Sequence, residues 1–238
     1  MAPEFYKTSN GILYQEDCLE VMSNLQSESI DLIVADPPYN SKAIEWDYKD
    51  DEWQFSWLTE AKRILKPNGS IYVFFAPLFM YGIEGFVRQN FNLRNILVWF
   101  HPNLYGANIS YGKDRYKSTW EVILYAVKGK KGLFNIQQRA YLEYGRSFDV
   151  IQIGAVLKNR LIKTQKPEKL IGRFIFYSSN EKDTVLDPFI GSGTTAIASE
   201  KMNRKWVGIE INPEYCKLII KRLDPIIRQQ RLQFNAPS

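Results

Sequence analysis

Thr184-Val185-Leu186-Asp187-Pro188-Phe189-Ile190-Gly191-Ser192-Gly193-Thr194-Thr195 is the stretch on which the fold turns. A short apolar strand runs into an acid, and Pro188 ends it. Two glycines then let the main chain turn and come close to a ligand, and the hydroxyl residues after them open a helix whose first N–H groups are free. Sixteen residues beyond Thr194, the strand-like Trp206-Val207-Gly208-Ile209 ends in Glu210, where doubly wound sheets place an acid against ribose hydroxyls. The loop has neither the lysine of a phosphate-binding P-loop nor a third glycine, so it matches neither an NTPase nor a typical dinucleotide fingerprint. A different nucleotide-bearing ligand is expected here.

Outward from this corner the same rhythm continues. Ile12–Tyr14 reads as a strand leading through Asp17 and Cys18 into a helix marked by Leu19, Met22 and Leu25. Asp31–Ala35 is an apolar run of the kind buried on both faces, stopped by Asp36-Pro37-Pro38-Tyr39 because neither proline can donate to a sheet ladder. A helical period from Trp53 to Leu65 is expected to end at Pro67-Asn68-Gly69, and Ile71–Phe75, Ile96–Phe100 and Glu121–Val127 read as further strands. Leu170–Tyr177 reads as a helix. Strands alternating with helices predict an α/β fold with helices on both faces of a mostly parallel sheet. Residues 102–118 and 128–163 interrupt the alternation and are read as insertions in one domain spanning 1–238.

The D-P-P-Y segment suits a particular chemical problem. An exocyclic amine on a nucleobase is a poor nucleophile, because its lone pair is delocalised into the ring. Asp36, at the carboxyl end of a buried strand, can accept one N–H of that amine and the Pro37 carbonyl the other. Both bonds strengthen as positive charge develops on nitrogen. Tyr39 offers a face on which a base swung out of its helix can stack.

Taken together, these motifs resemble the circularly permuted β class of S-adenosylmethionine-dependent DNA amino-methyltransferases. The order matches over nearly the whole chain: Asp36-Pro37-Pro38-Tyr39, a basic region, Thr164-Gln165-Lys166-Pro167, then Phe189-Ile190-Gly191-Ser192-Gly193. Ile162-Lys163 stands where many members carry His-Pro. The resemblance implies a Rossmann-like methyltransferase fold with a seven-stranded sheet, permuted so that the N- and C-terminal segments lie side by side. It implies catalysis by Asp36, Pro37, Pro38 and Tyr39. The cofactor pocket would comprise Asp187, Pro188, Phe189, Gly191, Ser192, Gly193 and Thr194, with Glu210 on the ribose, Asp17 and Cys18 near the adenine, Asp36 at the reacting end, and Lys166 and Pro167 over the methionine. Asp at position 36 leans toward N6 of adenine; N4 of cytosine is the alternative, and a catalytically silent nucleic-acid-binding homologue a third reading.

Charge points to the partner. The chain of 238 residues has a net charge of +5 and a pI near 9.0. Between Lys128 and Lys166, nine basic residues face two acids, an excess of +7 in the stretch that breaks the α/β rhythm. Duplex DNA explains such an excess. Lys113, Arg115, Lys117, Lys130, Lys131, Arg139, Arg146, Lys158 and Arg160 are the expected DNA contacts, interleaved with Tyr105, Tyr111, Tyr116, Tyr141 and Tyr144. A recognition region this short implies a short target or a homodimer that shares the work; a cognate restriction endonuclease is a further partner left open. Cys18 and Cys216 lie far apart with no neighbouring Cys or His at metal-ligand spacing, so neither a disulfide framework nor a metal site is expected. The lone histidine, His101, reads as a turn residue. No run is long and apolar enough for a membrane span, and a cytoplasmic, nucleoid-associated location is expected.

Overall fold

The structure is a computed structural model describing residues 3–39, 49–104, 116, 118–136 and 145–234. Its strands are β1 (Glu4–Lys7), β2 (Gly11–Gln15), β3 (Ile30–Ala35), β4 (Leu65–Phe75), β5 (Asn92–Phe100), β6 (Trp120–Val127), β7 (Val150–Gln152), β8 (Thr184–Asp187) and β9 (Lys205–Glu210). Among the described residues the helices are α1 (Cys18–Asn24), α2 (Asp51–Ile64), α3 (Tyr81–Asn90), α4 (Glu168–Ser178), α5 (Thr194–Lys201) and α6 (Pro213–Phe234). None of them is long and apolar enough to cross a membrane.

All strands join one sheet in the order β1-β2-β9-β8-β3-β4-β6-β5-β7. The expected seven strands are nine, because β1 extends one edge as an antiparallel hairpin with β2, and β7 extends the other in parallel with β5. β6 runs antiparallel to both β4 and β5. The remaining pairings are parallel. Early β2 lies beside late β9 in parallel register from Gly11↔Trp206 to Gln15↔Glu210. The two ends of the motif order are thus neighbours in the sheet.

Alternation along each strand divides the core. Ile33 and Ala35 face one layer, where Met22, Trp57, Leu58 and Val87 of α1, α2 and α3 are buried. Leu32 and Val34 face the other, against Ile171, Phe174 and Ile175 of α4, while α5 and α6 bury Ile197, Cys216 and Ile219 over Leu13 and Trp206. The strand order reverses between β3 and β8, so their carboxyl ends open a crevice of the kind in which such sheets bind ligands.

Two expectations about the elements need correction. Pro67-Asn68-Gly69 does not end α2, which stops at Ile64, capped by the Leu65 N–H on Ala61. The three residues form an irregularity inside β4, with Asn68 at φ +67° and paired through its N–H to the Lys128 carbonyl. The second basic interruption is also not all insertion: β7 lies within it, and Asn135 donates to the carbonyls of Phe176 and Ser179 at the end of α4.

Candidate active site

Asp36 follows the last residue of β3, and every group around it comes from a strand end or from the turn before α4. The Tyr39 hydroxyl donates a short hydrogen bond to Asp36 Oδ1. Lys166 Nζ donates to Asp36 Oδ2 at 2.6 Å and lies 3.2 Å from Glu121 Oε2. The same Glu121 oxygen is 3.4 Å from the Tyr39 hydroxyl. Two donors and two carboxylates therefore close a ring. Lys166 is only 11% exposed, and its ammonium sits over the rings of Phe74 (5.0 Å), Trp99 (5.8 Å) and Tyr39 (5.9 Å).

The electrostatics follow from burial and charge. Burial alone would push the Lys166 ammonium down, but Asp36 and Glu121 outweigh it and hold its pKa above the ordinary value. Burial raises the Glu121 carboxyl against the pull of Lys166, and raises the Tyr39 phenol well above its usual range, with Asp36 and Glu121 adding to that rise. His101, expected at a turn, is instead buried, with its ring 4.0 Å from that of Trp99. Its Nε2 is 3.8 Å from Glu121 Oε1, and neither ring nitrogen has a hydrogen-bond partner among the described residues. Burial and the nearby Lys166 lower its pKa to about 4, so the imidazole is neutral at pH 7 and forms no ion pair.

The D-P-P-Y turn is anchored from α2. Gln54, 2% exposed, donates through Nε2 to the Pro38 carbonyl and accepts from Trp57 Nε1 at 2.7 Å. The Tyr39 ring packs on Phe75, centroids 5.4 Å apart.

Across the crevice, Asp187 ends β8 and accepts from Thr195 Oγ1 at 2.5 Å and from the Phe189 N–H at 3.0 Å. Burial pushes its carboxyl up to about 7, against those two bonds and with the help of Asp36 and Glu210. Glu210 ends β9; its Oε2 accepts the Gly191 N–H at 2.9 Å and its Oε1 the Asn212 N–H at 2.8 Å. The expected strand-end acid thus also pins the glycine loop. Asp17 caps α1 by accepting the Leu19 N–H, one turn beyond the end of β2 and next to the Glu210 end of β9. Cys18 is buried there, and burial raises its thiol to about 12. Pro167 is the residue before α4.

Asp36, Lys166, Asp187, Gly191, Ser192 and Thr194 line one cleft. Two of the expected site residues turn away from the cleft, and Lys166 lines it from the Asp36 side. Phe189 turns its ring into the core against Trp53 and Trp57. The Lys166 side chain sits on Asp36, while only its carbonyl reaches the glycine loop, accepting from Thr194 Oγ1 at 3.3 Å. Gly193 is required by a left-handed φ of +81° and by α6, since a Cβ there would lie 2.9 Å from Ile219 and not in the cleft.

The expected DNA contacts are split. Lys158 and Arg160 are exposed on the segment that leads from β7 to Ile162, which packs beside Gly191 at the carboxyl edge. Lys130 and Lys131 follow the far end of β6, at the opposite edge of the sheet from Asp36 and about 20–25 Å of strand away. Arg146 is exposed, and its carbonyl accepts from Arg173 of α4. Lys113, Arg115, Lys117 and Arg139, with Tyr105, Tyr111, Tyr141 and Tyr144, lie outside the described residues. Arg222 of α6, near the basic C-terminal residues, bonds to the Ser192 carbonyl of the glycine loop. Glu121, His101, Gln54 and Arg222 carried no motif in the sequence. The one available signal was an acid opening an otherwise apolar strand.

Residues 30–221 match the family described as DNA methylase. The chain belongs to that family. Two curated relatives are the type II methyltransferase M.HpaI of Haemophilus parainfluenzae, 33% identical over 87% of this chain and 72% of its own length, and the DNA adenine methyltransferase YhdJ of Escherichia coli K12, 35% identical over 87% and 81%. The M1.HpyAVI-SAM complex superposes with a TM-score of 0.70 at 29% identity, covering 90% of the methylase and 99% of that chain. The cytosine-N4-specific PvuII methyltransferase gives a TM-score of 0.75 at 22% identity, over 96% of the methylase and 95% of its own chain, a likeness of fold.

Proposed function

We propose that this methylase transfers the methyl group of S-adenosylmethionine to the exocyclic N6 of adenine in duplex DNA, with the base drawn out of the helix into the crevice. The observation that supports it most is the meeting of Asp36 and the glycine loop in one cleft at the carboxyl ends of β3 and β8. The donor set fits the cofactor. Asp36 lines the cleft as an acid, Glu210 stands behind Gly191 at its rim, Asp187 supplies a carboxyl whose pKa is pushed up to about 7, and Lys166, the one cation among the described lining residues, is already held by two acids. Such a cleft suits a ligand that carries positive charge and ribose hydroxyls. Glu210 would hold the ribose, Asp17 and Cys18 would flank the adenine, and Asp187 to Thr194 with Pro167 would enclose the amino-acid end. When bound, the cofactor supplies an electrophilic methyl group on a sulfonium.

The chain's own residues prepare the nucleophile. Asp36 accepts one N–H of the amine and the Pro37 carbonyl the other, drawing the nitrogen toward tetrahedral geometry and stabilising the charge it gains. Tyr39 holds the carboxylate through its hydroxyl before the amine arrives, and Gln54 fixes the turn through the Pro38 carbonyl. Adenine is favoured over cytosine by the acid at position 36 and by the 35% identity to an enzyme that acts on adenine.

Two measurements test this reading. Phage DNA grown in a host without modification is incubated with the methylase and cofactor, then digested to nucleosides; N6-methyladenine is expected, and N4-methylcytosine would replace the assignment. Asp36→Ala is expected to slow transfer by about 10² or more, with S-adenosylhomocysteine binding by calorimetry close to that of the wild type. Turnover near the wild-type rate would remove Asp36 from the chemistry.

A further inference from the structure

Both oxygens of Asp36 are engaged, one by the Tyr39 hydroxyl and the other by the Lys166 ammonium at 2.6 Å. A carboxylate whose charge is neutralised at that distance is a weaker acceptor for an incoming amine, since a charge-assisted bond draws on the same electron density. Both donors also reach a second carboxylate oxygen, and for both it is Glu121 Oε2. Glu121 opens no motif. It stands on β6, whose antiparallel run brings its first residues to the carboxyl edge where β3 ends.

We propose that Glu121 is a positioning residue for methyl transfer: it is the second seat for Lys166 and the Tyr39 hydroxyl, and by taking them up it frees Asp36 for the target amine. This rests on the reading of Asp36 given above. When an amine N–H approaches Asp36, Lys166 shifts toward Glu121, already 3.2 Å away, without leaving its apolar cage of Phe74 and Trp99. Without that second anion, a buried ammonium would either remain locked on Asp36 or be left unpaired, and leaving a buried charge unpaired costs more than keeping the pair. Among the described residues, the groups facing Glu121 are Lys166, Tyr39, Asp36 and His101. His101 stays neutral, so Lys166 is the cation that balances Glu121.

The test is a double-mutant cycle on the full chain with unmodified phage DNA, measured as single-turnover methyl transfer at saturating cofactor, using the wild type, Glu121→Gln, Lys166→Met and the double variant. Glu121→Gln is expected to lower the transfer rate on the order of tenfold. Its S-adenosylhomocysteine affinity by calorimetry should stay within about twofold, as should that of Glu121→Asp, which keeps the charge and should recover most of the rate. Because Glu121 acts chiefly through Lys166, with only the longer contact to the Tyr39 hydroxyl beside it, adding Glu121→Gln to Lys166→Met should change the rate far less than Glu121→Gln does in the wild type, by less than about threefold. A wild-type rate in Glu121→Gln, or the same fold loss with and without Lys166, overturns the proposal; the second result would make Glu121 a structural residue of β6. Asp36→Ala, run in parallel, separates the two levels: if it is active, the reading of the site fails, whereas if it is inactive and the cycle is additive, only the role of Glu121 fails.

Discussion

Asp187 keeps its proton well above the pH at which an aspartate normally loses it, because the end of β8 is buried and Asp36 and Glu210 stand nearby. Its folded pKa of about 7 exceeds the unfolded value near 3.8, so the stability linked to this group is fully present below about pH 4 and is lost as pH rises toward 7. His101 acts in the opposite sense. Its folded value of about 4 lies below the unfolded 6.5, so its contribution grows as pH climbs through that interval. Asp187→Asn removes the first effect and leaves the second. Thermal melts between about pH 4.5 and 7.5 should show the Tm of the wild type falling relative to Asp187→Asn as pH rises, and parallel curves would contradict the assigned cause. Asp187 and Asp36 were legible as strand-end acids from the breaks that follow them. Their sequence context offered no means of pairing Asp36 with Lys166 or Glu121, because a ring closed across two strand ends and the turn before α4 leaves no periodic trace.

At the scale of elements, the glycine loop shows what spacing alone can and cannot tell. Gly-x-Gly between a strand and a helix was legible as a turn, and Gly191 and Gly193 do have φ of +51° and +81°. The space left by Gly193, however, is filled by Ile219 of α6, a helix that no motif ties to the loop. Gly193→Ala should therefore destabilise the fold through both a left-handed φ and a backbone shift against α6, lowering the Tm by several degrees, at about 1 kcal/mol or more for the dihedral alone. Adding Ile219→Ala should restore only the part due to the clash. Gly191→Ala meets the flexible end of Ile162 at 3.0 Å and should cost less. Equal losses in the two glycine variants would show that crowding against α6 is not the cause. α2 and β4 mark the opposite failure: Pro67-Asn68-Gly69 reads as a stop, yet the ladder to β6 holds it as an irregularity within a strand. Tertiary pairing overrode a local breaker.

Across the whole molecule, the carboxyl edge of the sheet gathers Asp36, the glycine loop, Glu121 and the exposed Lys158, Arg160 and Lys163, while Lys130 and Lys131 sit at the other edge. Net charge along the sequence could not separate these groups, because the chain passes from one edge to the other inside the basic stretch, between Lys131 and the end of β7. Neutralising Lys158, Arg160 and Lys163 together should weaken DNA binding and flatten its salt dependence by about 0.9 in log-log slope for each phosphate that is no longer neutralised. Neutralising Lys130 and Lys131 should leave the slope unchanged. A flatter slope in the second variant alone would move the DNA face to the far edge. The pairing of β2 with β9 bears on how the enzyme comes into being. On the ribosome, β2 emerges early and has only its hairpin partner β1 until Thr184–Asp187 and Lys205–Glu210 follow, so half of the sheet waits for the last part of the chain. A chain that already carries Asp36 and Tyr39 thus still lacks the glycine loop and the Glu210 that holds it, and the two sides of the cleft are joined only when residues 184–210 take their places in the sheet.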